Sequence, residues 1–426
     1  MASPIRIDVY VRMLSGAMRH AGEVVFLQSK TGAQFGFKYV ESWLDEPDSF
    51  DLDPRGAKRS IGRTEISGRV LRPELGFLND ALPDAWGRSL LKLSGQDQDA
   101  QLMRQIGGGA LGALAFVDKG ATPEIPSALA VQDLGELLAA AEAFERHETL
   151  DSPHLQRLLA AGSSPGGARP KALVADAEGL WLAKFPSRGD ENRDIVGLEA
   201  ACLELARRAG MCVPENRLLK VGRRRVLLVR RFDVPEDRQR EVDGWKCRRH
   251  GISMSTLMRE LPTASNHSYT TMSEQLRLVS AKPAEDVTAF FRQMVFNAAI
   301  GNTDDHLRNF RLLHGEEGWG LAPAFDLLPD VGRMREHSMD FLYGRESPNQ
   351  ELVLEMARNW GVRSVGEIIN QVCSAVDQYA AVCEEMGVPS EDAALYQGSI
   401  DRRLKELRTP PAPRPSAKRA AKTPYT

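Results

Sequence analysis

The sequence predicts an α+β fold with two lobes, in which a β-rich N-terminal part precedes a mainly helical C-terminal part. Alternation of apolar and polar residues near the N-terminus predicts strands. From about residue 270 onward, apolar residues recur at three- and four-residue steps, as in helices. We expect four segments: a β-rich subdomain over 1–125, a strand-containing lobe over 126–270, a helical lobe over 271–408 and a disordered basic, proline-rich tail over 409–426.

Local patterns predict the elements of the first half. Strands are expected over Ile5–Val11 and Phe35–Tyr39, because side chains of opposite polarity alternate there. Residues 78–105 and 132–146 have helical periodicity. Too rich in Gly and Pro for either regular element, residues 162–170 have to form a loop.

After this loop the pattern changes several times. Two strands, a helix and a hairpin are predicted in turn, over Lys171–Val174, Leu180–Phe185, Asp194–Ala209, Leu218–Val221 and Val226–Phe232. Helices are expected in the C-terminal half, over Met272–Val279, Asp286–Ile300, 350–386 and 390–406.

Composition excludes several classes of protein. The five cysteines include no C-x-x-C pair, which argues against a disulfide framework or a zinc site and favours a reducing, cytoplasmic location. No stretch approaches the roughly 18 apolar residues of a membrane helix, and the N-terminus has no apolar export signal. A net charge of -3 is too small to imply a partner.

The most informative motif surrounds residue 304. Asp304 precedes Asn309 by five residues, which is the spacing of the base and the metal-binding Asn in the catalytic loop of phosphoryl-transfer enzymes. Asp326 follows where a second metal-binding Asp is needed. Oxygen ligands of this kind suit Mg²⁺, which bridges nucleotide phosphates. Each residue alone is as consistent with a helix cap or a turn, so the combination carries the hypothesis.

Two further features would serve a nucleotide. Lys184 is a cation in an otherwise apolar strand, and either phosphates or Glu199 on the following helix could neutralise it. Backbone N–H groups of the glycine-rich loop, with Gly166, Gly167 and Ala168 before Lys171, could bind an anion. A snorkelling lysine and a flexible linker are the alternative interpretations.

Weaker signals complete the candidate site. Arg230 and Phe232 end a strand, where they could contact adenine. His306 is expected to order the loop around Asp304 rather than to bind zinc, because no second His lies at ligand spacing. Ten Lys and Arg residues between positions 223 and 249 could contact nucleic acid, but interleaved acidic residues favour a solvated face.

With these residues assembled, the chain resembles the HipA family, the serine/threonine-kinase toxins of bacterial type II toxin–antitoxin pairs. The resemblance covers about residues 5–405. It is carried by Phe77–Arg88, Ile106–Leu114, Ser164–Lys171, Ala183–Pro186, Arg231–Asp233, Asn297–Phe310 and Pro323–Asp326.

The resemblance implies a protein-kinase-like fold, ATP and Mg²⁺ as cofactors, and a role for each matching residue. Lys184 would bind the ATP phosphates, Asp304 would be the catalytic base, and Asn309 and Asp326 would coordinate Mg²⁺. Ser164 would be the site of inactivating autophosphorylation, with the adjacent Ser163 as a competitor.

The partners are implied in the same way. Family members pair with a HipB helix-turn-helix antitoxin, bind operator DNA through it, and phosphorylate translation proteins such as an aminoacyl-tRNA synthetase, which causes growth arrest. Two other hypotheses stay open: a non-catalytic DNA-binding corepressor, and a small-molecule kinase that shares the Asp-x-x-x-x-Asn pattern.

Overall fold

The computed structural model describes residues 4–29, 32–56, 65–67, 75–83, 85–92, 99–124, 128–147, 169–190, 193–238, 247–258, 267–330 and 336–409. Within them the chain is an α+β protein with two lobes, as the sequence predicts. The glycine-rich segment 163–168 and the tail 410–426 lie outside the described residues.

An antiparallel sheet with strand order β4-β3-β2-β1-β5 forms the N-terminal part. Strand β1, which lies between β2 and β5, buries Ile7, Val9 and Val11 on one face, as the alternating pattern requires. Strands β1 to β5 span Ile5–Arg12, Met18–Ser29, Gly32–Tyr39, Glu65–Ser67 and Leu114–Asp118, and helices α1 to α4 span Glu41–Leu44, Gly76–Ala81, Ala85–Lys92 and Asp99–Ile106.

A second sheet, of order β6-β7-β8-β10-β9, carries one helix that matters for the site. Helix α6 begins after Asp194, whose side chain accepts a hydrogen bond from the Gly197 N–H at 3.1 Å and so caps the helix. Strands β6 to β10 span Leu129–Ala130, Lys171–Asp176, Gly179–Lys184, Asn216–Val221 and Arg224–Arg230, with α5 over Leu134–Glu145 and α6 over Ile195–Arg208.

The C-terminal lobe is helical but contains a third sheet. Helices α7 to α13 span Met254–Met258, Tyr269–Val279, Pro283–Ile300, Gln350–Trp360, Val365–Val376, Tyr379–Glu385 and Ser390–Arg408. The antiparallel strands β11, β12 and β13 span His250–Ser253, Arg311–Gly315 and Gly318–Leu321. Two of them interrupt the half of the chain that periodicity predicts to be mostly helical.

Buried polar contacts join the N-terminal part to the rest. Asp80 of α2 accepts hydrogen bonds from the Ser253 N–H at 2.6 Å and the Thr256 hydroxyl at 2.7 Å. Asp233, after β10, accepts one from the Gly112 N–H at 2.7 Å. These carboxylates fix the N-terminal sheet against the lobe that follows, because a buried charge has to keep its partners.

Most predicted elements agree with the structure to within a few residues. The helical region 78–105 divides into α2, α3 and α4, and the region 350–386 divides into three helices, the first of which ends at Gly361 with φ +67°. Among the described residues, no helix has both the length and the apolar character needed to cross a membrane.

Candidate active site

The site is built on Lys184, the last residue of β8. Its ammonium group donates hydrogen bonds to two carboxylates, Glu199 on α6 and Asp326 after β13, the latter at 2.8 Å. The lysine side chain is 14% exposed and that of Glu199 only 5%, whereas Asp326 is one-third exposed at 33%. The ion pair therefore joins the second sheet, its helix and the C-terminal lobe at one point that solvent still reaches.

Electrostatics in this cluster favour the charged forms of Lys184 and Asp326. Burial alone would lower the pKa of Lys184, but Asp326 and Glu199 outweigh burial and hold it above its ordinary value. Burial would raise the pKa of Asp326, but Lys184, with help from Lys171, lowers it to about 2. Burial raises the pKa of Glu199 and exceeds the opposing effect of Lys184.

A second lysine lies next to this cluster. Lys171 begins β7, is buried, and is directly opposite Lys184 in the antiparallel pairing of β7 with β8. Opposed residues of an antiparallel pair project on the same side of the sheet, where like charges repel unless anions separate them. Two lysines and two carboxylates thus meet at this edge.

The segment that carries Asp326 has an unusual backbone. Asp326 has φ +58°, in the left-handed region that L-residues other than Asn, Asp and Gly rarely adopt. Just before it, the Ala324 N–H donates to the Cys212 carbonyl at 2.8 Å, and the Phe325 ring lies 5.5 Å from that of Phe232. These contacts hold the segment so that Asp326 reaches Lys184.

The loop with Asp304 begins where α9 ends. Gly301 has φ +72° and terminates the helix. Asn302 donates from its backbone to the Asn297 carbonyl at 2.9 Å, which keeps the first loop residue on the helix end. Asn309 donates its side-chain amide N–H to the Asp304 carbonyl oxygen at 2.7 Å, so the two motif residues close the loop on each other.

The Asp304 carboxylate points to solvent, with a side chain 76% exposed. Desolvation by the surrounding protein raises its pKa, and the nearby carboxylates of Asp326, Asp305 and Asp330 raise it further, while His306 acts against them. The His306 ring lies 3.8 Å from Asp304. An exposed carboxylate with a raised pKa is suited to take a proton from a hydroxyl.

Two oxygen donors here could hold a metal. Asp326 stays ionised, and Asn309 uses its amide nitrogen for the Asp304 carbonyl, which leaves its amide oxygen available as a ligand. The described residues contain no group of three or more His, Cys, Asp or Glu side chains arranged for a metal ion. The donor set fits Mg²⁺, which commonly takes one or two protein ligands and completes its shell with phosphates and water.

Other predicted site residues lie apart or outside the described residues. Arg230 pairs with Trp181 in the β8–β10 register, three residues along the strand from Lys184, so it projects on the opposite face of the sheet. There it lies over the Trp181 ring at 4.6 Å and pairs with Glu215 at 2.8 Å. Ser163, Ser164, Gly166, Gly167 and Ala168 are not among the described residues.

The sequence analysis did not identify Asp305 as a functional residue. Asp305, next to Asp304, is fully buried and accepts three hydrogen bonds from two separate segments, including one from the Tyr269 hydroxyl at 2.6 Å. Two consecutive aspartates look alike in sequence, and only burial separates them.

Comparison with known families agrees with this arrangement. The family model described as the HipA-like C-terminal domain matches residues 163–380, just over half of the chain, and contains Lys184, Glu199, Asp304 and Asp326. This chain belongs to the HipA family.

Two curated relatives come from Sinorhizobium fredii (strain NBRC 101917 / NGR234). The HipA-family chain is 27% identical to "Putative kinase Y4mE" over 333 residues, which covers 72% of this chain and 74% of that protein. It is 26% identical to "Putative kinase Y4dM" over 178 residues, covering 37% and 40% of the two chains.

Among solved structures, the fold is similar to that of a chain in the complex of the Shewanella oneidensis MR-1 toxin–antitoxin system HipA, HipB and its operator DNA. The TM-score is 0.68 at 18% sequence identity, with 94% of this chain and 97% of that chain covered. The likeness therefore extends over the N-terminal sheet as well as the two lobes.

Proposed function

We propose that this HipA-family chain is an ATP- and Mg²⁺-dependent protein kinase that phosphorylates a serine or threonine hydroxyl. The observation that carries the proposal is the contact of Lys184 with both Glu199 and Asp326. Protein kinases need a lysine–glutamate ion pair and a metal-binding aspartate in place together. The meeting of Lys184, Glu199 and Asp326 at the carboxyl end of β8, with Asp304 close enough for its pKa to be raised by Asp326, supports these roles.

Each residue then has a distinct task. Lys184 and Lys171 bind the nucleotide phosphates, while Glu199 keeps Lys184 in place. Asp304 orients the acceptor hydroxyl and takes its proton. Asp326 and the Asn309 amide oxygen hold Mg²⁺, which when bound neutralises charge on the transferred phosphoryl group.

The proposal also includes a protein partner, a class of substrate and a site of autophosphorylation. A HipB-like helix-turn-helix protein is the proposed partner, with operator DNA bound through it, since a chain of similar fold occurs in a complex with HipB and operator DNA. The proposed substrate is a translation-related protein, with an aminoacyl-tRNA synthetase as the first candidate, and growth arrest is the consequence. Ser164 is the proposed autophosphorylation site. Its phosphate would add nearly two negative charges to a loop that serves the nucleotide.

The test is incubation of the full chain with γ-labelled ATP and a bacterial lysate, followed by identification of the labelled species. Asp304→Asn and Lys184→Met are expected to abolish labelling. Lys220→Met is the matched control, because Lys220 is an exposed lysine of the same sheet. Label on a cellular protein that depends on Asp304 supports the proposal.

Two other results would contradict it. Label found only in small molecules would identify a small-molecule kinase. No labelled product, with equal ATP turnover by the wild type and Asp304→Asn, would leave a non-catalytic corepressor.

A further inference from the structure

Asp304 and Asp305 are neighbours in one loop but have opposite environments. The Asp304 side chain is 76% exposed, and that of Asp305 is 0% exposed. Loop residues around them, Thr303 and Leu307, are buried like Asp305. Asp304 is therefore the most exposed residue of a loop whose other residues are buried or partly buried.

The anchor is the Asp305 carboxylate. Its Oδ2 accepts hydrogen bonds from the Tyr269 hydroxyl at 2.6 Å and from His337 Nδ1 at 2.9 Å, and its Oδ1 accepts one from the Ser338 N–H at 2.8 Å. The donors come from α8 and from the segment that follows residue 336. Three donors from two separate parts of the lobe fix this carboxylate in position and direction.

A second layer of contacts holds the donors themselves. The Tyr269 hydroxyl accepts a hydrogen bond from the Asn297 amide of α9 at 3.2 Å. With its proton on Nδ1, His337 accepts at Nε2 from the Ser347 hydroxyl at 3.1 Å and from Arg403 of α13 at 3.4 Å. Tyr269 and His337 are both buried. Contacts of this kind preserve the direction of the groups that bind Asp305.

The network also reaches the start of the loop. A Cβ added to Gly301 would lie 2.8 Å from Arg403 Nε, so the arginine packs directly on this turn. The Gly301 carbonyl accepts a hydrogen bond from the Asp330 N–H at 2.8 Å, four residues beyond Asp326. The loop with Asp304 and the segment with Asp326 are thus connected through the same turn.

We propose that Asp305 is a positioning residue, which sets the direction of Asp304 by anchoring the loop from the inside. The two neighbouring side chains have opposite exposures, so a carboxylate that is held inward at 305 keeps the side chain of 304 turned outward. The inference rests on the proposed kinase function for its catalytic consequence, since Asp304 is there the group that orients the acceptor hydroxyl.

The network requires a carboxylate at position 305. Among the described residues, the three hydrogen-bond partners of Asp305 are all donors, and an ionised carboxylate offers only acceptors. An asparagine would set an NH₂ group against one or more of these donors, in a place that water does not reach. Asp305→Asn should therefore release the loop, even though the asparagine side chain has nearly the same shape as the aspartate side chain.

The experiment compares Asp305→Asn with Asp8→Asn in the full chain. Asp8 is the control, because it is also a buried carboxylate, but it lies on β1 and accepts a hydrogen bond from the Gly120 N–H at 2.8 Å within the N-terminal part. Three quantities are measured: amide hydrogen exchange of residues 302–309, and the kcat and the KM for ATP in phosphoryl transfer. Below the unfolding temperature, we expect Asp305→Asn to speed exchange in the loop by at least tenfold and to lower kcat about 100-fold, with KM within about threefold. Asp8→Asn should leave all three unchanged.

A second, milder variant keeps the inference testable if Asp305→Asn does not fold. Tyr269→Phe removes one of the three donors to Asp305 and should lower kcat in the same direction but by a smaller factor, about tenfold. Loop exchange that is unchanged in both variants would overturn the inference, and so would faster exchange with an unaltered kcat. If the wild type transfers no phosphate at all, the proposed function fails, while the exchange comparison still decides the anchoring role.

Discussion

Lys171 and Lys184 lie directly opposite each other on neighbouring antiparallel strands, on the same face of the second sheet. Glu199 and Asp326 supply one negative charge each, so the cluster is balanced as it stands. Under the proposed function, Lys184 would turn from Asp326 to the nucleotide phosphates, and Asp326 would turn to Mg²⁺. Such an exchange avoids stranding a buried charge, which would be costly.

The first prediction concerns Lys171. Replacing it with Met removes one of the two cations that we propose to bind the nucleotide phosphates, and a hydrogen bond to a charged group is worth about 1.5–3 kcal/mol. We expect the Kd for ATP to rise about tenfold or more, and the stabilisation of the protein by a fixed ATP concentration to shrink accordingly. Calorimetric titration measures the first and thermal unfolding the second. Lys220→Met, an exposed change on the same sheet, should alter neither.

The second prediction concerns the partner of Lys184 on α6. Glu199→Gln keeps the shape but removes the charge, so Lys184 is left with Asp326 alone and should hold it more tightly. Asp326 is then less available to a cation, and we expect kcat for phosphoryl transfer to fall about 10- to 100-fold while the fold persists. Steady-state kinetics and circular dichroism check the two parts.

Helix α6 offers its own control for that change. Glu204 pairs with Arg207 and with Arg208 at 2.9 Å on the outer surface of the same helix. Surface pairs contribute little, so Glu204→Gln should retain full activity. A comparable loss of activity in both variants would show that helix stability, and not the contact with Lys184, sets the rate.

How much of this could be predicted from sequence depends on the range of the interactions. Helices α6, α8 and α9 follow from local periodicity and were predicted nearly to their ends. The strands β11 and β12 were missed because each is short and they pair across a long interval, as in the contact of His250 with His314. No local pattern encodes such a pairing.

In the candidate site, too, features within one loop could be predicted from the sequence, whereas those that depend on distant residues could not. The spacing of Asp304 and Asn309 lies within one loop and was visible in the sequence, and the pair indeed closes on itself. The opposite environments of Asp304 and Asp305 were not visible, because they depend on Tyr269 and His337, which lie far away in the chain. The position of Arg230 at a strand end predicts a contact with adenine, but the strand register places its side chain on the face opposite Lys184.

The third prediction concerns stability at the junction of the N-terminal part. Asp233 is fully buried and accepts hydrogen bonds from Arg231 at 2.9 Å and Gly112 at 2.7 Å. Burial would raise its pKa, but Arg231 and Arg248 outweigh burial and lower it to about 2. Asp233→Asn leaves buried arginines without their counter-charge, which typically costs about 3–5 kcal/mol.

Urea unfolding of the full chain measures that cost. Asp377→Asn is the matched control, because Asp377 forms an ion pair with Arg408 that is roughly half exposed on both sides, and such pairs contribute about 1 kcal/mol or less. Equal destabilisation by the two substitutions would contradict the role assigned to Asp233.

The fourth prediction concerns pH and His250. Burial lowers the pKa of His250 to about 4 and nearby His314 and Arg311 act in the same direction, while the Leu52 carbonyl, 3.0 Å from Nε2, and Asp80 oppose them. The unfolded chain binds this proton near pH 6.5 and the folded chain only near pH 4, so the contribution to stability is complete above about 6.5 and is lost as the pH falls towards 4. The loss over this interval is on the order of 3 kcal/mol.

A His250→Gln variant tests this prediction. Its glutamine can still donate to the Leu52 carbonyl but does not titrate, so the free energy of unfolding of the variant should fall less steeply than that of the wild type between pH 6.5 and 4. Parallel curves for the two proteins would show that folding does not lower the pKa of His250.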